Sequence, residues 1–191
     1  MLTWARKTAK VKIAELLVCF EHTGIYGMEL AAFLEKKNVF YCMVPALEIK
    51  RSLGMVRGKN DRVDAIRIAE YAHLRRDTIK ETKLPSALLQ KMKKLIGLRS
   101  KMVGQRAGYM ASVGELKRIY KKTDHSHLFS IEEKMIKELT KSIDIVEAEL
   151  KVLINGDEEV KRTFNLLLSI KGIGPIAAYN LIVVTRCFHA F

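Results

Sequence analysis

The chain has 191 residues, 49% of them hydrophobic, with three prolines, three cysteines and a net charge of +13. That length allows one or two domains with real cores, and no apolar run reaches the roughly 18–20 residues that a membrane span needs. Cys19, Cys42 and Cys187 have neither CxxC nor zinc-like spacing, so they read as buried, reduced thiols of a cytoplasmic protein rather than as a disulfide framework.

Met1 is followed by Leu2-Thr3-Trp4 and a basic stretch without an apolar core, which is not a secretory signal. Ile13 to Phe20 reads as a strand that runs into a turn at Glu21-His22-Thr23-Gly24. Tyr26 to Lys36 carries Met28, Leu30, Ala31, Phe33 and Leu34 at helical spacing, and Asn38 stops that helix. Val39 to Val44 is a short continuous apolar run, as in a buried parallel strand, closed by Pro45. A short helix, Ala46 to Leu53, leads into a basic, glycine-containing loop, and Asp61 opens a further helix to about Asp77. Strand–helix–strand–helix order predicts an α/β domain with a parallel sheet. Two strands are too few for such a sheet, so further strands are expected before Met1 or from a partner.

After Pro85 the period changes. Leu88, Met92, Leu95, Arg99, Met102, Arg106, Tyr109, Val113, Leu116 and Tyr120 alternate steps of four and three, and Ile136, Leu139, Ile143, Val146, Leu150 and Leu153 do the same. These are heptad seams. Residues 86–154 are expected to form an antiparallel helical hairpin or coiled coil, either an oligomerisation arm or an intramolecular spacer. Arg99 and Arg106 interrupt the first seam and are expected to snorkel out of it toward a polyanion. A last segment holds a helix from Glu158 to Leu168, then Lys171-Gly172-Ile173-Gly174, then an apolar helix.

The charge is local. Residues 51–122 contain 19 Lys/Arg against 6 Asp/Glu, and the rest of the chain balances. Such a block favours a polyanionic partner, nucleic acid first and anionic membrane second, although charge runs are often only solvated helix faces.

Three constellations carry chemistry. Asp61 and Asp64 share a helix face, with Cβ atoms about 5–6 Å apart, and can hold cations with Glu21 at the end of the first strand, since sites of open α/β sheets form outside the strands' carboxyl ends. The alternative is plain helix capping. Arg57, Lys59 and Arg62 beside them, with Lys50 and Arg51, suit phosphates. Lys171, Gly172 and Gly174 fit a hairpin between helices whose backbone N–H groups face a phosphate, or a structural turn. A dinucleotide fingerprint is disfavoured, since no acidic residue follows. His22 is a candidate neighbour of the Glu21 site, whereas His125 and His127 lack further ligands nearby.

Glu21-His22-Thr23-Gly24-Ile25-Tyr26, Gly58-Lys59-Asn60-Asp61-Arg62-Val63-Asp64-Ala65 and Leu168-Ser169-Ile170-Lys171-Gly172-Ile173-Gly174 resemble, in order and spacing, three elements of the DEDD transposases of insertion-sequence family 110. The resemblance implies a RuvC-like, RNase H-like domain, here residues 1–84 without its first strand; a helical hairpin or coiled coil, 85–155; and the start of a C-terminal transposase domain with a helix–hairpin–helix segment, 156–191. It implies that Glu21, Asp61 and Asp64 are three of four acids binding Mg²⁺. DNA is the implied partner, with a structured guide RNA in some members, and the coiled coil implies a homo-oligomer in a prokaryotic cytoplasm, at the nucleoid. The intact family enzyme cleaves and rejoins DNA, with a serine as nucleophile. The family's first Asp and that serine have no counterpart here, so an inactive fragment that still binds nucleic acid is expected. The rival readings are a non-catalytic basic DNA-binding regulator and a Mg²⁺-dependent RNase H-like nuclease.

Overall fold

The computed structural model describes residues 2–53, 60–120 and 126–189. These form two compact units that divide between Leu84 and Pro85.

The first unit contains α1 (Leu2–Ala9), a 3-10 turn (Ile13–Glu15), β1 (Val18–Glu21), α2 (Ile25–Lys36), β2 (Tyr41–Val44), α3 (Ala46–Leu53) and α4 (Asp61–Leu74). β1 and β2 pair in parallel, Val18 opposite Tyr41 and Glu21 opposite Val44. Side chains of a strand alternate between faces, and each face buries its own cluster. On one, Val18, Phe20, Tyr41 and Met43 pack with Ala31 and Leu34 of α2. On the other, Cys19, Cys42 and Val44 pack with Ile49 of α3 and Ile68 and Tyr71 of α4. The sheet is therefore a layer between helices, which is why both strands read as apolar runs. The free edge of β2 is covered by the chain around Thr82: the Thr82 N–H donates to the Tyr41 carbonyl at 2.9 Å, and the Met43 N–H donates to Thr82 Oγ1 at 2.9 Å.

Three differences from the sequence reading have local causes. The first strand is shorter than Ile13 to Phe20, because the Lys12 N–H donates to the Glu15 carboxylate at 2.8 Å and closes a 3-10 turn in its place. Residues before it form α1, a short helix with no capping signal in the sequence. α4 ends at Leu74, where Arg75 N–H bonds back to the Tyr71 carbonyl and the chain turns.

The second unit contains α5 (Ala87–Ile119), α6 (Ser126–Asn155), α7 (Glu158–Leu168) and α8 (Pro175–Thr185). Ser86 caps α5 and Asp157 caps α7, each accepting a backbone N–H three residues on. Ion pairs Lys91–Glu149, Arg99–Glu147 and Lys117–Glu133 run in opposite order along the two long helices, so α5 and α6 are antiparallel. Their heptad seams turn inward, with Met92, Met102, Val113, Ile143, Val146 and Leu150 buried. Tyr120 is an exception: it lies past the end of α5 with extended backbone and is exposed.

Leu89 and Ile96, outside the seam, are buried with Ala178, Tyr179 and Ile182 of α8. Residues 156–189 share one core with the hairpin. Phe164 of α7 stacks on Tyr179, with centroids 5.1 Å apart. Full burial of a Leu, Ile or Met side chain contributes about 1.5–3 kcal/mol; Met92, Leu150 and Ile182 are each at 0% exposure. No helix among the described residues is long and apolar enough to cross a membrane.

Candidate acidic site and nucleic-acid interface

Glu21 is the last residue of β1 and is half-buried. Alternation puts it on the Cys19 face of the sheet, against which α4 packs. Asp61 and Asp64 occupy the first turn of α4, and both are exposed. Neither caps the helix. Asn60 does, its Oδ1 accepting the Arg62 N–H at 2.9 Å while its carbonyl accepts the Asp64 N–H at 3.0 Å. Capping, the ordinary use of an aspartate in this position, is therefore already served by another residue. No ion pair or hydrogen bond engages the carboxylates of Glu21, Asp61 or Asp64 among the described residues.

All-oxygen carboxylate donors suit a hard divalent cation in type. Their arrangement does not complete a site: among the described residues no three His, Cys, Asp or Glu side chains lie together closely enough to hold an ion. The sheet and helix that carry the three acids pack together, but the acids are not gathered.

Of the basic residues singled out, Lys50, Arg51 and Arg62 are exposed around α3 and the start of α4, while Arg57 and Lys59 lie outside the described residues. Arg99 and Arg106 depart from the sequence expectation. Rather than reaching out of the seam, Arg99 Nε donates to Glu147 Oε1 at 2.6 Å and Arg106 Nη1 to Thr140 Oγ1 at 3.3 Å, so each links α5 to α6. A half-buried cation on a helix seam is stabilised when an acceptor from the opposite helix satisfies it.

Lys171 is exposed in the turn between α7 and α8. Gly172 has φ +97, a conformation that side chains disfavour, and Gly174 precedes Pro175, which takes the first position of α8. No side chain caps the start of α8. His22 and His127 are exposed, and His125 lies outside the described residues.

One polar cluster has no signal in the sequence. The Tyr71 hydroxyl donates to Glu48 at the start of α3, and the Arg75 guanidinium sits 5.5 Å from the centre of the Tyr71 ring. Burial, and then Glu48, push the Tyr71 hydroxyl up to about 12. The partners are 23 residues apart, and only the packing of α4 over α3 brings them together.

Fold and site together define a class by its chemistry: carboxylates carried at a strand end and a helix start of an α/β unit, followed by a helical unit whose first helix is strongly basic. A family model described as a transposase, that of the DEDD transposases of insertion-sequence family 110, matches residues 1–116. The chain belongs to this family. Its class of activity is DNA transposition, its partner class is DNA, and the family uses divalent metal ions. No curated protein matches the chain.

Proposed function

We propose that this chain engages DNA in transposition through an RNase H-like acidic unit and a basic helical unit, with Glu21, Asp61 and Asp64 as its strand-cleavage acids and Mg²⁺ as the metal. The observation that carries this reading is the cap of α4. Asn60 closes the helix start, so two aspartates of the first turn remain unengaged among the described residues, on a helix packed against the strand that ends in Glu21. From the first turn Asp61 and Asp64 also favour the helix dipole, and that role leaves their carboxylate oxygens available to a cation. Mg²⁺ bound by carboxylates supplies charge stabilisation at the attacked phosphate. Among the described residues the three acids are not gathered around one ion.

DNA contact is assigned to Lys50, Arg51 and Arg62 in the first unit and to the Lys171–Gly174 turn in the second, where a glycine turn before an uncapped helix start presents backbone N–H groups in the manner of a helix–hairpin–helix. Self-association is assigned to the outer side of α6, where Leu128, Ile131, Met135, Ile145 and Val152 are exposed in a second stripe beside the buried seam. Apolar residues in such a row on a polar helix mark a protein contact.

A second reading, a DNA-binding protein without cleavage, is favoured by the same ungathered acids. One experiment separates the two. The purified chain is titrated into labelled duplex DNA at several salt concentrations, then incubated with supercoiled DNA and Mg²⁺, beside an Asp61→Asn, Asp64→Asn variant. Nicking by the chain and none by the variant, at equal DNA affinity, supports the acidic site. Binding by both without nicking supports the second reading. Failure of the unsubstituted chain to bind DNA sinks both.

A further inference from the structure

We infer that the outward face of α5 is a docking surface for the phosphate backbone of duplex DNA; this rests on the DNA-binding reading above and assigns it a further surface.

α5 carries eight Lys/Arg and one acid, Glu115. Four of its cations are engaged with α6: Lys91, Arg99 and Lys117 in ion pairs and Arg106 with Thr140. The others, Lys93, Lys94, Lys101 and Arg118, are exposed and have no ion-pair or hydrogen-bond partner among the described residues. They are not scattered. With the seam at Met92, Leu95, Met102 and Val113 turned toward α6, and with Leu89 and Ile96 turned toward α8, these four lie on the side of α5 away from the other described helices of this unit. The division of labour is by position in the heptad: cations in or beside the seam hold the hairpin, and those opposite it have no partner among the described residues.

The relief between them is low. Gly97, Gly104 and Gly108 lie on the same outward side, and a Cβ added at any of them would meet no atom within 4 Å. Glycine weakens a helix interior relative to alanine, and no neighbour among the described residues requires its small size here. A surface of lysines separated by glycines lets a polyanion approach the helix backbone while the lysine stems reach around it. Lys94 and Lys101 are one heptad apart, about 10 Å along the axis, which is about three phosphate steps of a DNA strand. Lys93 to Arg118 spans about 38 Å, close to one turn of B-DNA. A second protein helix would need an apolar or acidic counterface, and the cations argue for phosphate instead.

The test is fluorescence anisotropy of a labelled duplex DNA of about two helical turns with the full chain, over a salt series, for the unsubstituted protein, a Lys93→Gln/Lys94→Gln/Lys101→Gln variant and a Gly104→Leu variant. Thermal unfolding is followed alongside by circular dichroism. The triple variant is expected to bind about tenfold or more weakly, with the slope of log affinity against log salt reduced by about 2.7, three phosphate contacts at about 0.9 each. Gly104→Leu keeps the charge and favours the helix, so it is expected to melt no earlier than the unsubstituted chain and yet to bind DNA more weakly. Unchanged affinity and slope in both variants overturn the inference while leaving DNA binding elsewhere on the chain intact. Tighter binding of a duplex RNA than of duplex DNA by the unsubstituted chain also overturns it. No DNA binding by the unsubstituted chain overturns the reading beneath it as well.

Discussion

At the scale of single residues, chemistry is decided by which neighbour takes the ordinary role first. Asn60 and Asp61 are both good helix caps, and nothing in their order says which will serve. The backbone of α4 begins so that Asn60 does, and Asp61 and Asp64 are left over. The sequence therefore made the acids visible but not which residue caps the helix. Arg99 was legible as a break in an apolar seam, but its partner was not, since Glu147 lies 48 residues away. Cys19 and Cys42 were readable as buried thiols; their position directly opposite each other came only with the strand register. That position has a consequence for pH. Burial first, and then Cys42, push the Cys19 thiol from an ordinary 9.0 to about 12, Cys42 is pushed up by burial, and Tyr71 rises from 10.0 to about 12. The neutral forms belong to the fold. Their stabilisation is complete below about pH 9 and is lost as pH rises toward 12, because the unfolded chain ionises first. Melting of the first unit is expected to fall between pH 8 and about pH 10.5, and to fall less in Cys19→Ala. An unchanged melting temperature across that range would contradict the burial of this pair.

At the scale of elements, period was the strongest signal. The seam of α5 was legible because four-and-three spacing leaves one solution for which side turns inward, and Met92, Met102 and Val113 do turn inward. Leu89 and Ile96 were less legible, because their burial depends on α8, which returns to α5 from more than 70 residues on. The 3-10 turn before β1 was missed because a local side-chain bond at Glu15 competes with strand pairing. The Arg99–Glu147 pair gives an element-scale prediction. Both side chains are mostly shielded, at 20% and 32% exposure. Glu147→Ala leaves a half-buried guanidinium unpaired and is expected to lower stability by about 1–2 kcal/mol. Arg99→Met with Glu147→Leu, which removes both charges, is expected to recover most of that. Denaturant unfolding of the unsubstituted chain, Arg99→Met, Glu147→Leu and the double variant measures the coupling, and additive losses would mean that the pair holds nothing together.

At the scale of the whole molecule, the two long helices divide their charge. α5 is strongly basic, while α6 has six acids against four lysines. The hairpin therefore shows cations along one outer side and an apolar stripe along the other. If that stripe joins copies, Ile145→Glu is expected to shift the chain to a smaller species in light scattering, with little change in helix content, since Ile145 is exposed. An assembly size that ignores the substitution would remove α6 from the contact. In the first unit, β2 is edged by the Thr82 segment, while β1 pairs with β2 alone among the described residues. A strand accepted there would be read in steps of two: every second side chain would come to the face that holds Glu21, and a slip of one residue would exchange the whole set. The alignment of that one pairing, more than the identity of any single acid, would fix which groups stand beside Glu21.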